Sequence, residues 1–521
     1  MEIVQASMKN SDQVAQDHDD DSTFEDFYRD SVIFITGGTG FLGKVLVEKL
    51  LRKFPIKRIY LLIRNKNNLT AQERLEGLFQ EELFTKLRGE NPEFGEKVVP
   101  IAADYEAFDL DISEKDKLTL FNEVEIVFNI VASVKFNEKL RDALGINVLG
   151  TKKVLELSQQ MRRLKSFLHI STLYSNCHRK YVGERCYSPK ITYEQVIQIN
   201  RIADNDTFET IQHCLIGEMP NTYTVTKRWA ENLVNHVAYG MPAGIFRPPI
   251  VVSIYKDPVP GWMDNLNGPG VIIVGSVRGF IHCIYGDKLQ KANIMPADYC
   301  INAMVAAAWD TYRRYQSRME QQSELPVYNY IYEKNNLTWE KYMHLVSKGL
   351  HEPLDKALWY YSYYIVKWKF LYKLGAIFLH TIPGYILDFL LLITGKKRIF
   401  VKAYRKIDTV LEMMSYFGLR DWKFCNNNVL QLNKLISYRN RQLYSLDFEM
   451  EKINWSDYFR HYIPGIKKYH FKEDIKNLQK SQMHYKRLYI LHRLVKTSFW
   501  SLISYLLFRQ FFCAFEKFVV N

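Results

Sequence analysis

The sequence predicts an α/β fold, a doubly wound parallel sheet, followed by a mostly helical C-terminal domain. Three observations carry this. The stretch 31–64, SVIFITGGTGFLGKVLVEKLLRKFPIKRIYLLIR, reads as a strand, a glycine turn, a helix and a second strand. Short apolar runs then alternate with helix-period segments as far as about residue 310. From about residue 354 the composition turns aromatic and basic in long helical patterns such as ALWYYSYYIVKWKFLYKLGAIF.

Residues 1–30 hold nine acids against Lys9 and Arg29, with a cluster at Asp17, Asp19, Asp20 and Asp21, and are expected to form an acidic, disordered lead-in. They lack the basic start and apolar run of a secretory signal. Residues 32–36 are apolar and β-branched, as a buried parallel strand requires. Gly37, Gly40 and Gly43 follow at spacings of three. They permit a tight turn, close approach of backbone to a pyrophosphate, and close packing of helix on strand. The helix 44–53 points its free N–H groups and dipole at the phosphates. Strands are expected at 59–63, 97–102, 125–131 and 166–171, with helical periodicity over 143–160. A further strand falls within 241–252, where the tandem Pro248 and Pro249 force an extended path. The Pro- and Gly-rich run 257–270 reads as a loop over the site. Residues 293–309 begin irregularly and become a helix, closing a dinucleotide-binding catalytic domain over 31–310. A connection (311–353), a helical domain (354–470), and a basic linker with an apolar tail (471–521) complete the chain.

The 521 residues suffice for two substantial cores. The seven cysteines have no metal-binding or redox spacing and read as reduced thiols facing a cytosol, with no metal site expected. Formal net charge is +13, and because the lead-in carries −7 the rest of the chain carries +20. That surplus suits a polyphosphate substrate, anionic lipid or a solvated surface. No helix-turn-helix, zinc-finger or RNP pattern accompanies it, which excludes nucleic acid as the expected partner.

The chemistry centres on Tyr223 and Lys227 in NTYTVTK. Four residues apart on a helix, they share one face. A nearby ammonium would lower the tyrosine's pKa, and the phenol could then give its proton to a carbonyl oxygen during a reduction. Ser171 and Thr172 sit at the carboxyl end of the fifth strand, where open α/β sheets bind ligands, and either hydroxyl could hold the substrate oxygen. Asn147 could anchor a water in a proton relay behind Lys227. His169 reads as a packed strand residue. Arg64 ends the second strand where an acid would select NAD, so NADPH is the expected cofactor, with Lys66 assisting.

These residues resemble the extended short-chain dehydrogenase/reductase superfamily: TGGTGFLGKVLVEKLL, HISTLYSN, NTYTVTK and RPPIV. The finer similarity is to fatty acyl-CoA reductases, seen in FEDFY at 24–28, in VASVKFNEKLRDALGINVLGT, and in PLDKALWYYS. It extends over nearly the whole chain. It implies a Rossmann domain and an NADPH-dependent reduction of long-chain acyl-CoA to a primary alcohol in two hydride transfers, through a hemithioacetal and an aldehyde, with CoA released. It implies that Thr36, Gly37, Gly40, Phe41, Leu42 and Gly43 line the diphosphate and Asp104 the adenine. Thr172 fits the family's catalytic hydroxyl best, with Ser171 the alternative; Tyr223 and Lys227 also touch the cofactor. One departure is Asn129, where the family commonly has histidine; another is GGTG in place of GATG. The rival functions are another oxidoreductase of the superfamily, acting on a sterol or lipid aldehyde, and a catalytically silent lipid-binding homologue.

Membrane attachment is expected. Residues 374–394 approach the ~20 apolar residues that span a bilayer. They contain His380, Pro383 and Asp388, which favours a buried or interfacial segment of the C-terminal domain. The run 499–508 is too short to span before Arg509; with Phe511, Phe512, Phe515 and Phe518 it suits a helix lying in the interface, beside Lys486, Arg487, Arg493 and Lys496. The resemblance implies an endoplasmic reticulum, peroxisome or lipid-droplet membrane, with the catalytic domain facing the cytosol. The ending VVN is not an SKL-type address, which favours the reticulum. A homo-oligomer is left open.

Overall fold

The computed structural model describes residues 23–520 apart from 67, 108, 267 and 318–323, without the side chains of 475 and 516–520. The acidic cluster at 17–21 and the side chains of Glu516, Lys517 and Phe518 lie outside the described residues. Two compact units form. The first comprises residues through Met263, Lys291–Leu337 and Asp421–Ile453; the second comprises Asp264–Gln290, Thr338–Arg420 and Asn454–Asn521.

In the first unit, seven strands build one parallel sheet: β1 (Val32–Thr36), β2 (Arg58–Ile63), β3 (Val98–Ala102), β4 (Ile126–Asn129), β5 (Ser166–Ile170), β6 (Ala243–Arg247) and β7 (Val327–Asn329). Their spatial order is β7-β6-β5-β4-β1-β2-β3, with parallel pairing throughout. β1 and β4 are buried along their whole length, which is why they read as continuous apolar runs. The principal crossover helices are α1 (Phe41–Lys53), α2 (Ala71–Phe79), α3 (Thr151–Ser158), α4 (Thr222–Val237) and α5 (Ala297–Gln316). α3 is preceded by a π-helical turn over Gly145–Gly150.

Four sequence expectations change. First, the lead-in expected over 1–30 contains regular structure: residues 23–28 are helical, and Phe24, Phe27 and Tyr28 are buried. Three aromatics at i, i+3 and i+4 give that turn an apolar face; Phe24 meets the Trp309 ring at 5.4 Å and the Tyr28 hydroxyl donates to the Val305 carbonyl. Second, the sheet does not end at residue 310, because β7 lies in the expected connection; three residues carry too little periodicity to be read. Third, Asp421–Ile453 belongs with the first unit. Trp422 donates to the Cys177 carbonyl, Tyr330 to the Phe448 carbonyl, and Asn428 to the Val327 carbonyl. Fourth, the aromatic run after residue 354 is not helical at its start. Tyr364–Val366 is a strand paired with Cys283–Tyr285, consistent with the β preference of Tyr, Ile and Val.

The second unit is otherwise helical: α6 (Lys369–Ala376), a π-turn (Ile377–Thr381), α7 (Ile382–Ile393), α8 (Phe400–Gly418), α9 (Trp455–Gly465) and α10 (Leu478–Val520). The expected basic linker is partly structure. Gln482 donates to the His351 carbonyl at 2.8 Å, and Tyr485 and Tyr489 pack on Tyr360 at 5.0 Å. By length and composition, Lys369–Ile393 and Leu478–Phe515 are each able to cross a membrane.

Candidate active site

The site is assembled at the carboxyl ends of the strands, in the spatial order Asp104 (after β3), Arg64 (β2), the glycine turn (β1), the loop after β4, and Thr172 (after β5). Gly37 has φ +71°, and a Cβ there would stand 2.7 Å from the Val131 nitrogen. At Gly43 a Cβ would stand 2.3 Å from the Gly37 carbonyl. Only glycine lets the turn fold this tightly against β4 and lets α1 begin this close to it. Gly40 is the N-cap of α1 and supplies no capping side chain, so the first-turn amides of Phe41, Leu42 and Gly43 are left for an anion. This cradle fits a dinucleotide pyrophosphate. The Phe41 ring stacks on Trp262 at 5.7 Å, so its backbone and not its ring belongs to the cradle.

Thr36 lies beneath the turn. Its hydroxyl donates to Asn129 Oδ1 at 2.7 Å and accepts from the amides of Ile130 and Val131. Asn129 Nδ2 in turn reaches His169 Nδ1 at 3.1 Å. Thr36 therefore fastens the ends of β1 and β4 that the glycine turn rests on. Asn129, the departure from the resembled family, is the buried link of this chain. His169 is fully buried, and burial together with the Lys227 cation holds its pKa well below the ordinary range.

Arg64 and Lys66 are exposed at the end of β2. The Arg74 guanidinium, one turn into α2, bonds the Arg64 carbonyl, so the two arginines stand together past the end of β2. Arg74 was not expected; its signal is the Thr70–Glu73 capping box, which fixes the start of α2. Asp104 is exposed in the loop after β3, where its carboxylate caps the Glu106 amide.

Tyr223 and Lys227 stand on the first two turns of α4, capped by the Asn221 side chain. The Thr172 hydroxyl neighbours the Tyr223 phenol and accepts from the Tyr174 amide at 3.3 Å, and Phe136 stacks on the tyrosine ring at 5.9 Å. Burial pushes the phenol up to about 12, opposed by the Thr172 hydroxyl and reinforced by Glu231. The expected lowering by Lys227 does not dominate: the ammonium is turned to the Ile170 carbonyl at 2.6 Å. Burial brings Lys227 itself down to about 8, with Glu231 working the other way.

The two candidate hydroxyls separate. Thr172 faces Tyr223, whereas Ser171 donates to the buried carboxylate of Glu231. Glu231 continues the four-residue spacing of Tyr223 and Lys227 and makes a bidentate pair with Arg247, at 2.8 and 2.7 Å. Asn176 also donates to it. This network lies behind the reacting edge, and that spacing is the signal that could have revealed Glu231. Asn147 is buried as well. Its side chain accepts from the Ser133 amide and donates to the Ser133 carbonyl and to Thr226, bracing the loop after β4.

A glycine turn opening on α1, with Thr172 just past the end of β5 and Tyr223 and Lys227 on α4, defines a nicotinamide-dependent reductase of the Rossmann type. The male sterility protein family matches residues 35–304 and, in its second segment, 379–473. Fatty acyl-CoA reductase wat of Drosophila melanogaster is 36% identical over 505 residues, 96% of each chain. Fatty acyl-CoA reductase 1 of Xenopus laevis is 32% identical over 93% of each, and fatty acyl-CoA reductase 2 of Mus musculus is 33% identical over 92%. The chain belongs to the fatty acyl-CoA reductase family. In fold it is similar to the terminal R domain of the myxalamid PKS-NRPS biosynthetic pathway, with TM-score 0.54 and 17% identity, covering 84% of this chain and 90% of that one. The reductase domain of a nonribosomal peptide synthetase from Mycobacterium tuberculosis gives TM-score 0.51 at 15% identity, covering 85% and 95%.

Proposed function

We propose that this enzyme reduces long-chain fatty acyl-CoA to the primary alcohol with NADPH, through the aldehyde and with release of CoA, at the cytosolic surface of an intracellular membrane, the endoplasmic reticulum being favoured. The observation that carries the chemistry is Tyr223 and buried Lys227 on successive turns of α4, with Thr172 just past the end of β5. The nicotinamide cofactor, when bound, supplies hydride to the acyl carbon and then to the aldehyde carbon. Tyr223 stays protonated at neutral pH, because burial raises its pKa, and gives its proton to the oxyanion as negative charge develops. Thr172 orients the tyrosine hydroxyl and the carbonyl oxygen together. Burial brings Lys227 down to about 8, and while protonated it lends positive charge to the site. Arg64 and Arg74 would hold the 2′-phosphate, and the first-turn amides of α1 the pyrophosphate.

The membrane reading is supported by two long helices whose apolar side chains are exposed. The test of function is incubation of the purified full chain with NADPH or NADH and a panel of acyl-CoA lengths, followed by product analysis. Primary alcohol formed with NADPH is the expected result. Absence of any acyl-dependent NADPH oxidation sinks the reading.

A further inference from the structure

We propose that α6 and α7 form one in-plane membrane-docking rod, held at the headgroup boundary by α8, separate from the C-terminal helix. This rests on the membrane reading above and names a second surface that makes the contact.

The rod carries two opposed stripes. Tyr372, Ala376, His380, Gly384 and Asp388 recur every four residues and are all buried. A four-residue repeat drifts around an α-helix of 3.6 residues per turn, and the π-turn Ile377–Thr381 takes up part of that drift. On the other side Phe370, Phe378, Tyr385, Phe389 and Ile393 are each more than half exposed. A row of large apolar side chains of this length on the surface marks an interaction site.

The buried stripe decides what kind of site it is. Each of its polar members is tied to α8 or to the strand beneath. Asp388 accepts the amides of Ile399, Phe400 and Val401 at 2.8, 2.9 and 3.0 Å, capping α8. The Tyr372 hydroxyl bonds Asp408 at 3.0 Å, Lys373 pairs with Glu412, and the His380 ring stacks on Tyr404. His380 Nε2 also accepts the amides of His282 and Cys283. α8 therefore runs back along the rod and is bonded to it at both ends. α8 carries exposed Lys402, Arg405 and Lys406. Were the rod to cross a bilayer, these charges would enter the hydrocarbon with it. Lying in the plane, the rod sinks its apolar stripe into the acyl chains and leaves α8 among the headgroups. The exposed turn Lys396, Lys397 and Arg398, which joins the two, then meets anionic lipid. Charge and apolarity thus agree on one occupant, the surface of an anionic bilayer.

The test places an environment-sensitive fluorophore at Phe389→Cys in the full chain, with the exposed Cys214 and Cys513 replaced by serine; the same background without Phe389→Cys sets the baseline. Vesicles of phosphatidylcholine and phosphatidylserine carry a nitroxide either near the headgroup or at the chain end. The expected result is a blue-shifted, stronger emission on adding vesicles, quenched more by the shallow nitroxide. Replacing Lys396, Lys397 and Arg398 by glutamine should weaken the titration by about fivefold for each cation removed. Flotation of the chain with unchanged emission would show that the C-terminal helix alone docks, overturning this proposal but not the membrane reading. No flotation at all would overturn both. Apolar emission before vesicles are added would mean that a second copy covers the stripe, and stronger quenching by the deep nitroxide would mean that the rod spans; either result overturns the in-plane assignment.

Discussion

Replacing Lys227 by methionine should leave the fold at least as stable while removing activity. The side chain is buried, and its pKa falls from 10.5 to about 8, chiefly through burial. Keeping it charged at neutral pH therefore costs the fold about 3 kcal/mol, at ~1.4 kcal/mol for each pKa unit. Its bond to the Ile170 carbonyl returns ~1.5–3 kcal/mol, as hydrogen bonds to charged groups do. Methionine has similar length and carries no desolvation cost, so the net change at pH 7 should lie between neutral and about 1.5 kcal/mol of stabilisation. The sign with pH follows from linkage. The folded pKa is depressed, so the unfolded chain binds the extra proton between pH 8 and 10.5, and wild-type stability rises across that window. Any advantage of the methionine variant should shrink over the same range, visible in thermal melts of the two proteins at pH 7 and pH 10. Acyl-CoA-dependent NADPH oxidation should fall at least ~100-fold, since the positive charge lent to the site is gone. A variant that melts well below wild type at pH 7, or that retains more than about a tenth of the activity, would refute this account of Lys227.

Tyr223→Phe should fold and bind NADPH normally yet lose ~10²–10⁴ in kcat, the usual worth of a positioned acid, as measured by product formation. Ser171→Ala should lower the melting temperature and leave kcat largely intact, because its hydroxyl serves Glu231, whereas Thr172→Val should lower kcat; equal effects on kcat would contradict the separation of the two hydroxyls. Arg64→Asp and Arg74→Ala should each raise KM for NADPH and leave KM for NADH little changed, and a wild type indifferent to the 2′-phosphate would dismiss both residues from that role. Gly43→Ala places a methyl 2.3 Å from the Gly37 carbonyl, a backbone atom that cannot step aside, so NADPH binding by fluorescence titration should be lost.

The strands of the sheet and the glycine turn were legible because both obey local rules: β-branched runs for buried parallel strands, and glycines wherever backbone must approach backbone. Tyr223 and Lys227 were legible for the same reason, since a four-residue spacing on one helix fixes a shared face before any tertiary contact forms. What the residues alone left open was long-range. Ser171 and Thr172 are neighbours in sequence, and only the buried Glu231–Arg247 pair, bonded across 16 residues of chain, draws the Ser171 hydroxyl inward while Thr172 stays beside Tyr223 and caps the following turn. That the Asn147 side chain joins Ser133 to Thr226, 14 and 79 residues away, is likewise decided only by the fold. β7 and Asp421–Ile453 were invisible because three-residue strands and returning segments acquire meaning only from the partner they pair with. The polar residues of 374–394 suggested a buried or interfacial segment. Only α8, which accepts Asp388 as its cap, shows that their charge is satisfied on one side while the apolar side remains exposed. Local periodicity specifies elements. Which side of an element is free depends on what packs against the other side, and that is settled only when the chain folds.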